Sequence, residues 1–178
     1  MMLQPRTRLV LIALLVAIGS LALFQPAARG NDRRTVVRQC RLLIGEAHRC
    51  YARGEVDSAL AKLDEVLAAD PANPDAHYFV GTIRLDQADT AGAEAILTAG
   101  VAKSPLSRRL KLLLARVKVA GGDPDGAATL VAEVTALRAH DLDAIYLQGL
   151  IALARGDSTT AASVWDAALM AQAEEAGP

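Results

Sequence analysis

Apolar and polar residues follow a pattern along this chain that returns every 34 residues. A small residue stands at Ala47, Gly81, Ala115 and Gly149, and an alanine at Ala59, Ala93, Ala127 and Ala161. A large apolar residue follows each alanine, at Leu63, Leu97, Val131 and Trp165. Between the small residue and the alanine lies a turn pair that ends in an acid: Gly54-Glu55, Ala88-Asp89, Gly122-Asp123 and Gly156-Asp157. Each period therefore predicts two antiparallel helices joined by a short turn.

The second period shows the local chemistry best. Asp70-Pro71-Ala72-Asn73-Pro74 is a breaker cluster, in which Asn73 suits a helix N-cap and Pro74 the first helical turn. A helix is predicted from there to about Gln87, and a second from an Asp89 cap to about Lys103, where Ser104-Pro105 stops it. The same acidic cap is expected in the other three periods, and Asp123-Pro124 repeats the pairing of cap and proline. The small residues are expected where paired helices cross closely, with Gly81 facing Ala93.

A helix–turn–helix unit of this period, with these positions in phase, resembles the tetratricopeptide repeat. Pro71 and Pro105 stand at the family's closing proline, which Ala139 and Ala173 replace in the last two repeats. The resemblance implies an all-α fold: an α-solenoid of four repeats (40–73, 74–107, 108–141 and 142–175) within a domain spanning 32–178. It also implies a concave groove lined by the first helices. Carried over position by position, the lining is Arg41, Ile44, His48 and Tyr51 in repeat one, and Asp75, Tyr78, Thr82 and Leu85 in repeat two. Repeat three supplies Arg109, Leu112, Arg116 and Val119, and repeat four Asp143, Tyr146, Leu150 and Leu153. All three tyrosines of the chain fall in this set. Tyrosine offers a large contact area at little conformational cost, which suits a binding surface. An apolar floor with a few arginines implies a helix or extended segment of another protein as the ligand. Some relatives grip an acidic chaperone C-terminus with a lysine-and-asparagine clamp. Ile44, Tyr78, Leu112 and Tyr146 occupy one clamp position here, so the resemblance does not extend to that ligand.

Residues 1–31 read as an appendage. Arg6 and Arg8 precede an apolar run that opens at Leu9 and closes at Phe24, relieved only by Gly19 and Ser20. Its sixteen residues lie between a signal-peptide core and the about 17–25 residues of a membrane span. An uncleaved signal-anchor is the expectation; cleavage after Ser20-Leu21-Ala22 is the alternative. The short basic tail favours export of the repeats, whereas Arg29, Arg33, Arg34, Arg38 and Arg41 beyond the run would hold them in the cytoplasm. Export is the reading carried forward, with a bacterial inner-membrane location. Pro26 and Gly30 suggest a hinge over residues 25–31. Arg34, Arg38 and Arg41 share a helical face that is expected to be solvated.

Little else in the sequence points to chemistry. The formal net charge of −1 gives no reason to expect a nucleic-acid partner. Cys40 and Cys50 lie ten residues apart on one predicted helix, about 15 Å along its axis, too far for a disulfide. Cys50 is expected in the repeat core. His48, His77 and His140 take unrelated positions, and no phosphate-cradling loop, nucleophile elbow or i, i+4 metal pair is present. No cofactor, metal or catalytic activity is expected. The functional expectation is a membrane-tethered interaction scaffold that binds a partner peptide or helix in its groove, in the assembly or recruitment of an envelope complex. A structural protein that self-associates through its C-terminal helix is the alternative.

Overall fold

The computed structural model describes residues 28–176, with side chains described over 33–170. The apolar run at 9–24 and its flanking Arg6 and Arg8 lie outside the described residues. Eight helices and no strand occur among those described. They are α1 (Ala28–Ala52), α2 (Val56–Ala69), α3 (Pro74–Asp86), α4 (Thr90–Lys103), α5 (Arg108–Ala120), α6 (Pro124–Leu137), α7 (Leu142–Ala154) and α8 (Ser158–Ala176). No described helix is long and apolar enough to cross a membrane. The chain divides into two units, Met1–Gln39 and Cys40–Pro178, and the second carries the repeats.

Within that second unit contacts run between neighbours in sequence: α3 with α4, α5 with α6, α7 with α8, and each pair with the next. First helices also touch across repeats, α3 with α5 and α5 with α7. This is the wiring of an α-solenoid, in which each repeat buries its apolar face only against its neighbours.

Local signals set the helix ends. The Asn73 side chain accepts from the amide of Ala76, and Asp89 and Asp123 accept from Gly92 and Gly126 at 2.9 Å. Asp157 accepts from Thr160 at 2.9 Å. These bonds satisfy amides that the first helical turn leaves unpaired. Glu55 departs from the expected cap. It makes no capping bond, because its longer side chain reaches out to Arg53 at 2.8 Å instead. The turns before these caps need a left-handed residue. Gly54, Gly122 and Gly156 supply it with φ of +79°, +83° and +82°, and Ala88 does so at +60°.

The core is a sequence of joints. Leu97 of α4 packs with Leu110, Leu113, Leu114 and Val117 of α5; Val131 and Val134 of α6 pack with Leu147 and Ile151 of α7. At the crossing where Gly81 is expected to face Ala93, the atoms nearest the glycine belong to Leu97. A Cβ on Gly81 would lie 2.7 Å from Cδ2 of Leu97, so the large apolar residue of α4 fills the space that the glycine leaves. In the fourth repeat the Trp165 indole occupies the same place over Gly149, 2.1 Å from where a Cβ would stand. The buried His77 ring bridges the backbone carbonyls of Pro71 at 3.0 Å and Ile96 at 3.1 Å. Gly100 leaves room for it.

Two further expectations are revised. Cys40, not Cys50, is the cysteine in the core, since it shares a helical face with Leu43 and Ala47. Burial, followed by the nearby Asp70 carboxylate, pushes its thiol pKa up. Of the expected hinge, residues 28–31 are helical, since α1 takes in Gly30, and residues 25–27 lie outside the described residues. A glycine inside a helix costs about 1 kcal/mol relative to alanine, which a 25-residue helix tolerates.

Two substitutions test these features. Gly149→Ala is expected to lower unfolding stability by about 1–3 kcal/mol, because the indole must move. Ala88→Gly is expected to raise it by about 0.5–1 kcal/mol, the relief of a left-handed Cβ less the added freedom of the unfolded chain. Denaturant unfolding reads both. Equal stability of the two variants would contradict the close approach and the strained turn together.

Candidate protein-binding groove

The first helices of repeats two, three and four present their inward faces to one open cavity of about 650 Å³. Tyr78 of α3, then Arg108, Arg109, Leu112, Leu113 and Arg116 of α5, then Asp143, Tyr146, Leu147 and Leu150 of α7 line it. Arg109 lies over the Tyr78 ring, 4.2 Å from its centroid, and pairs with Asp75 at 3.0 Å. Tyr146 stacks on Trp165 with centroids 6.0 Å apart, and the indole N–H donates to the Tyr146 carbonyl at 3.3 Å. Two tyrosines, each held by a neighbour, thus flank an apolar strip.

Arg108 is fixed more firmly. It pairs with both Asp141 and Asp143, donating to Oδ1 of Asp141 at 2.7 Å. Asp141 is buried and also accepts from the amide of Ala144 at 3.1 Å, capping α7. The Arg108 bond holds the Asp141 carboxyl below its usual pKa against the opposing effect of burial, and the Ala144 amide adds to this. Arg116, by contrast, is exposed and forms no ion pair among the described residues. The cavity therefore offers one uncommitted positive charge beside apolar and aromatic surface.

Of the residues carried over from the sequence, Tyr78, Arg109, Leu112, Arg116, Tyr146 and Leu150 line this cavity, together with Asp143. Leu112 is only 7 % exposed and belongs to the core that joins α5 and α7, so it forms floor and core at once. Tyr78 and Leu85 pack against the α4–α5 joint, and Val119 and Leu150 against the next. Thr82 turns back on its own helix and donates to the Tyr78 carbonyl at 2.9 Å. Leu153 is exposed and lies off the cavity.

The repeat-one residues do not line the cavity. His48 stacks on Phe79 at 4.0 Å and Tyr51 meets the same ring edge-on at 5.6 Å. Tyr51 also donates to Asp86, and that bond raises its phenol pKa. These two side chains clasp repeat one to repeat two. Arg41 is exposed and Ile44 half-buried, apart from the cavity. Position-by-position transfer missed Arg108, Leu113 and Leu147. Arg108 had a readable signal: acids stand 33 and 35 residues later, one repeat away, at Asp141 and Asp143.

A stack of antiparallel helix pairs with an inner groove defines a helical-repeat protein. A family model of the tetratricopeptide repeat matches residues 51–117 and 84–154, together more than half of the chain. The chain belongs to the tetratricopeptide repeat family. No curated protein matches it. Among solved structures it is similar to MamA, with 16 % identity and a TM-score of 0.66 over 83 % of this chain and 88 % of that one. It is similar to the first TPR of Spaghetti (RPAP3) bound to the HSP90 peptide SRMEEVD, with 18 % identity and a TM-score of 0.61 over 67 % of this chain and 94 % of that one. It is also similar to YrrB, a TPR protein with an unusual peptide-binding site, with 21 % identity and a TM-score of 0.59 over 71 % of this chain and 65 % of that one. At these identities the likeness is one of fold.

The buried carboxylate gives a pH test. A carboxyl whose folded pKa is depressed adds stability above its unfolded pKa of about 4, and that contribution is lost as pH falls through the folded value. Asp89, Asp123 and Asp157 are lowered as well: Asp89 first by the Gly92 amide, Asp123 first by Lys118, and Asp157 to about 2 by Thr160. The protein is therefore expected to lose stability as pH falls below about 4. Asp141→Asn keeps a capping oxygen but cannot pair as an ion. It is expected to cost about 1–3 kcal/mol at pH 6 and less at pH 3. An equal deficit at both pH values, read from denaturant midpoints, would contradict the role given to the Arg108 pair.

Proposed function

We propose that this protein is a membrane-tethered interaction scaffold whose groove holds a segment of another protein. The observation that carries the reading is the cavity between Tyr78 and Tyr146, where an apolar strip and the unpaired Arg116 stand side by side. Such a surface suits a segment with one or two apolar side chains and an acidic residue beside them. The Spaghetti TPR holding an HSP90 peptide supports reading a repeat surface as a peptide site. The tyrosines and Leu112 at the clamp position mean that this chain would seat its ligand on apolar contact, with Arg116 setting polarity. The apolar run at 9–24 supports a single-pass inner-membrane tether with the repeats on the exported side, in the assembly or recruitment of an envelope complex. No enzymatic step is assigned to it.

Arg116→Glu tests the groove without touching the core. It is expected to change stability by no more than about 0.5 kcal/mol, and to weaken capture of partner from solubilised membranes at least about tenfold. Undiminished capture would remove the groove from the function. For the tether, the full chain is expected to stay with membranes after alkaline extraction, and its repeats to be cleaved by protease added to spheroplasts. Release by alkali would exclude the anchor, and protection from protease would put the repeats on the cytoplasmic side.

A further inference from the structure

The two ends of the repeat stack are built differently. Inside the stack, each first helix covers the preceding repeat through four positions spaced i, i+3, i+4 and i+7. On α3 these are Ala76, Phe79, Val80 and Ile83, and on α5 Leu110, Leu113, Leu114 and Val117; all are buried. On α7, Ala144, Leu147 and Ile151 are buried and Gln148 is half-buried. The equivalent positions on α1 are Leu42, Gly45, Glu46 and Arg49, none of them buried. Leu42 is 59 % exposed, and Glu46 is drawn to Lys62 at 3.5 Å. That end carries charge where an interior repeat carries aliphatic side chains, so it is finished for water.

The opposite end keeps interior chemistry. Leu169 stands two periods after Val101, which packs into the α4–α5 joint, and Tyr146 stands one period after the floor residue Leu112. Leu142, Ile145, Tyr146, Trp165, Ala168 and Leu169 line an open apolar cavity of about 350 Å³. No described helix covers it. Leu142, Tyr146, Leu169 and the adjacent Met170 are 49 %, 56 %, 64 % and 69 % exposed, so these four large apolar side chains alone supply a substantial part of the roughly 800 Å² that each partner gives to a standard interface.

We propose that this face is the contact between two copies of the chain, α7 and α8 of one packed on α7 and α8 of its partner about a two-fold axis. Two observations select that occupant. A two-fold contact sets a patch against itself, so a charge at its centre would meet its like. Apart from the Tyr146 phenol, uncharged at neutral pH, the cavity lining has no ionisable side chain; the nearby Asp143 is tied to Arg108, and the exposed Asp166 of α8 is not part of the lining. The head-to-tail alternative would require the α1 end to cover this face, and the Glu46–Lys62 pair and Arg49 would then be taken out of water against apolar surface. Tail-to-tail pairing closes the apolar face and leaves the charged ends in water. This face shares Tyr146 with the groove, but Arg116, whose substitution tests the groove, lies outside it, and Leu169 and Met170, whose substitutions test this face, lie outside the groove.

The test uses the full chain in mild detergent, by sedimentation velocity over a wide range of concentration. A monomer–dimer equilibrium is expected, weakened at least about tenfold by Leu169→Glu and by Met170→Glu, and unchanged by Leu106→Glu on a remote exposed loop. Because residues 169 and 170 are exposed, both variants are expected to keep the wild-type helical melting curve. In a Cys50→Ser background, Leu169→Cys is expected to give a disulfide-linked dimer and Leu42→Cys none. A monomer at every concentration would overturn the proposal, as would association that persists in Leu169→Glu. So would a monomer that instead takes up a different protein through Leu169, or linkage of Leu42→Cys to Leu169→Cys between copies.

Discussion

The fold depends on one steric arrangement, a large apolar side chain filling the space that a glycine vacates on the paired helix. Leu97 over Gly81 and Trp165 over Gly149 bring the helices of their repeats together by this means. His77 against Gly100 does the same with a polar ring, whose nitrogens meet two backbone carbonyls. Close-packed interiors transmit a misfit of even one methyl group. The separation of α3 from α4 and of α7 from α8 therefore sets where Tyr78 and Tyr146 stand, and with them the width of the cavity. Packing and the proposed binding surface are linked through the same few atoms.

Electrostatics adds register. Asp141 accepts from the amide of Ala144, which starts α7, and receives Arg108 from α5. One carboxylate thus fixes a helix end and the cavity's innermost arginine together. Lys118 plays a related part on the other side of α5, bridging Glu94 of α4 and Asp123, the cap of α6, at 2.8 Å each. The exposed members of such pairs contribute little to stability. Their effect is to hold each first helix at a set rotation, so that Arg116 stays free at the groove while its neighbours are engaged.

Much of the fold was legible because its signals are local. Breakers and caps at Asn73, Pro74, Asp89 and Asp123 act on the turn in which they sit, and the helices begin where they stand. The groove was legible only in part, because a concave residue can also belong to a joint. Leu112 looks outward by position, yet it is buried by α7; His48 and Tyr51 look free, yet Phe79 of the next repeat takes both. Those are contacts between residues about one repeat apart, which spacing alone does not weigh. Glu55 shows a finer limit: it has the charge of a cap but one methylene more than the position accepts, and Arg53 takes it.

In the proposed function the inward face of repeats two to four, rather than the outer surface, meets the partner. A photo-crosslinking amino acid placed at position 116, and separately at the exposed Leu106, tests it most directly in intact cells. A discrete adduct with another protein is expected from position 116 and none from position 106. Adducts from position 106 with none from 116 would contradict it.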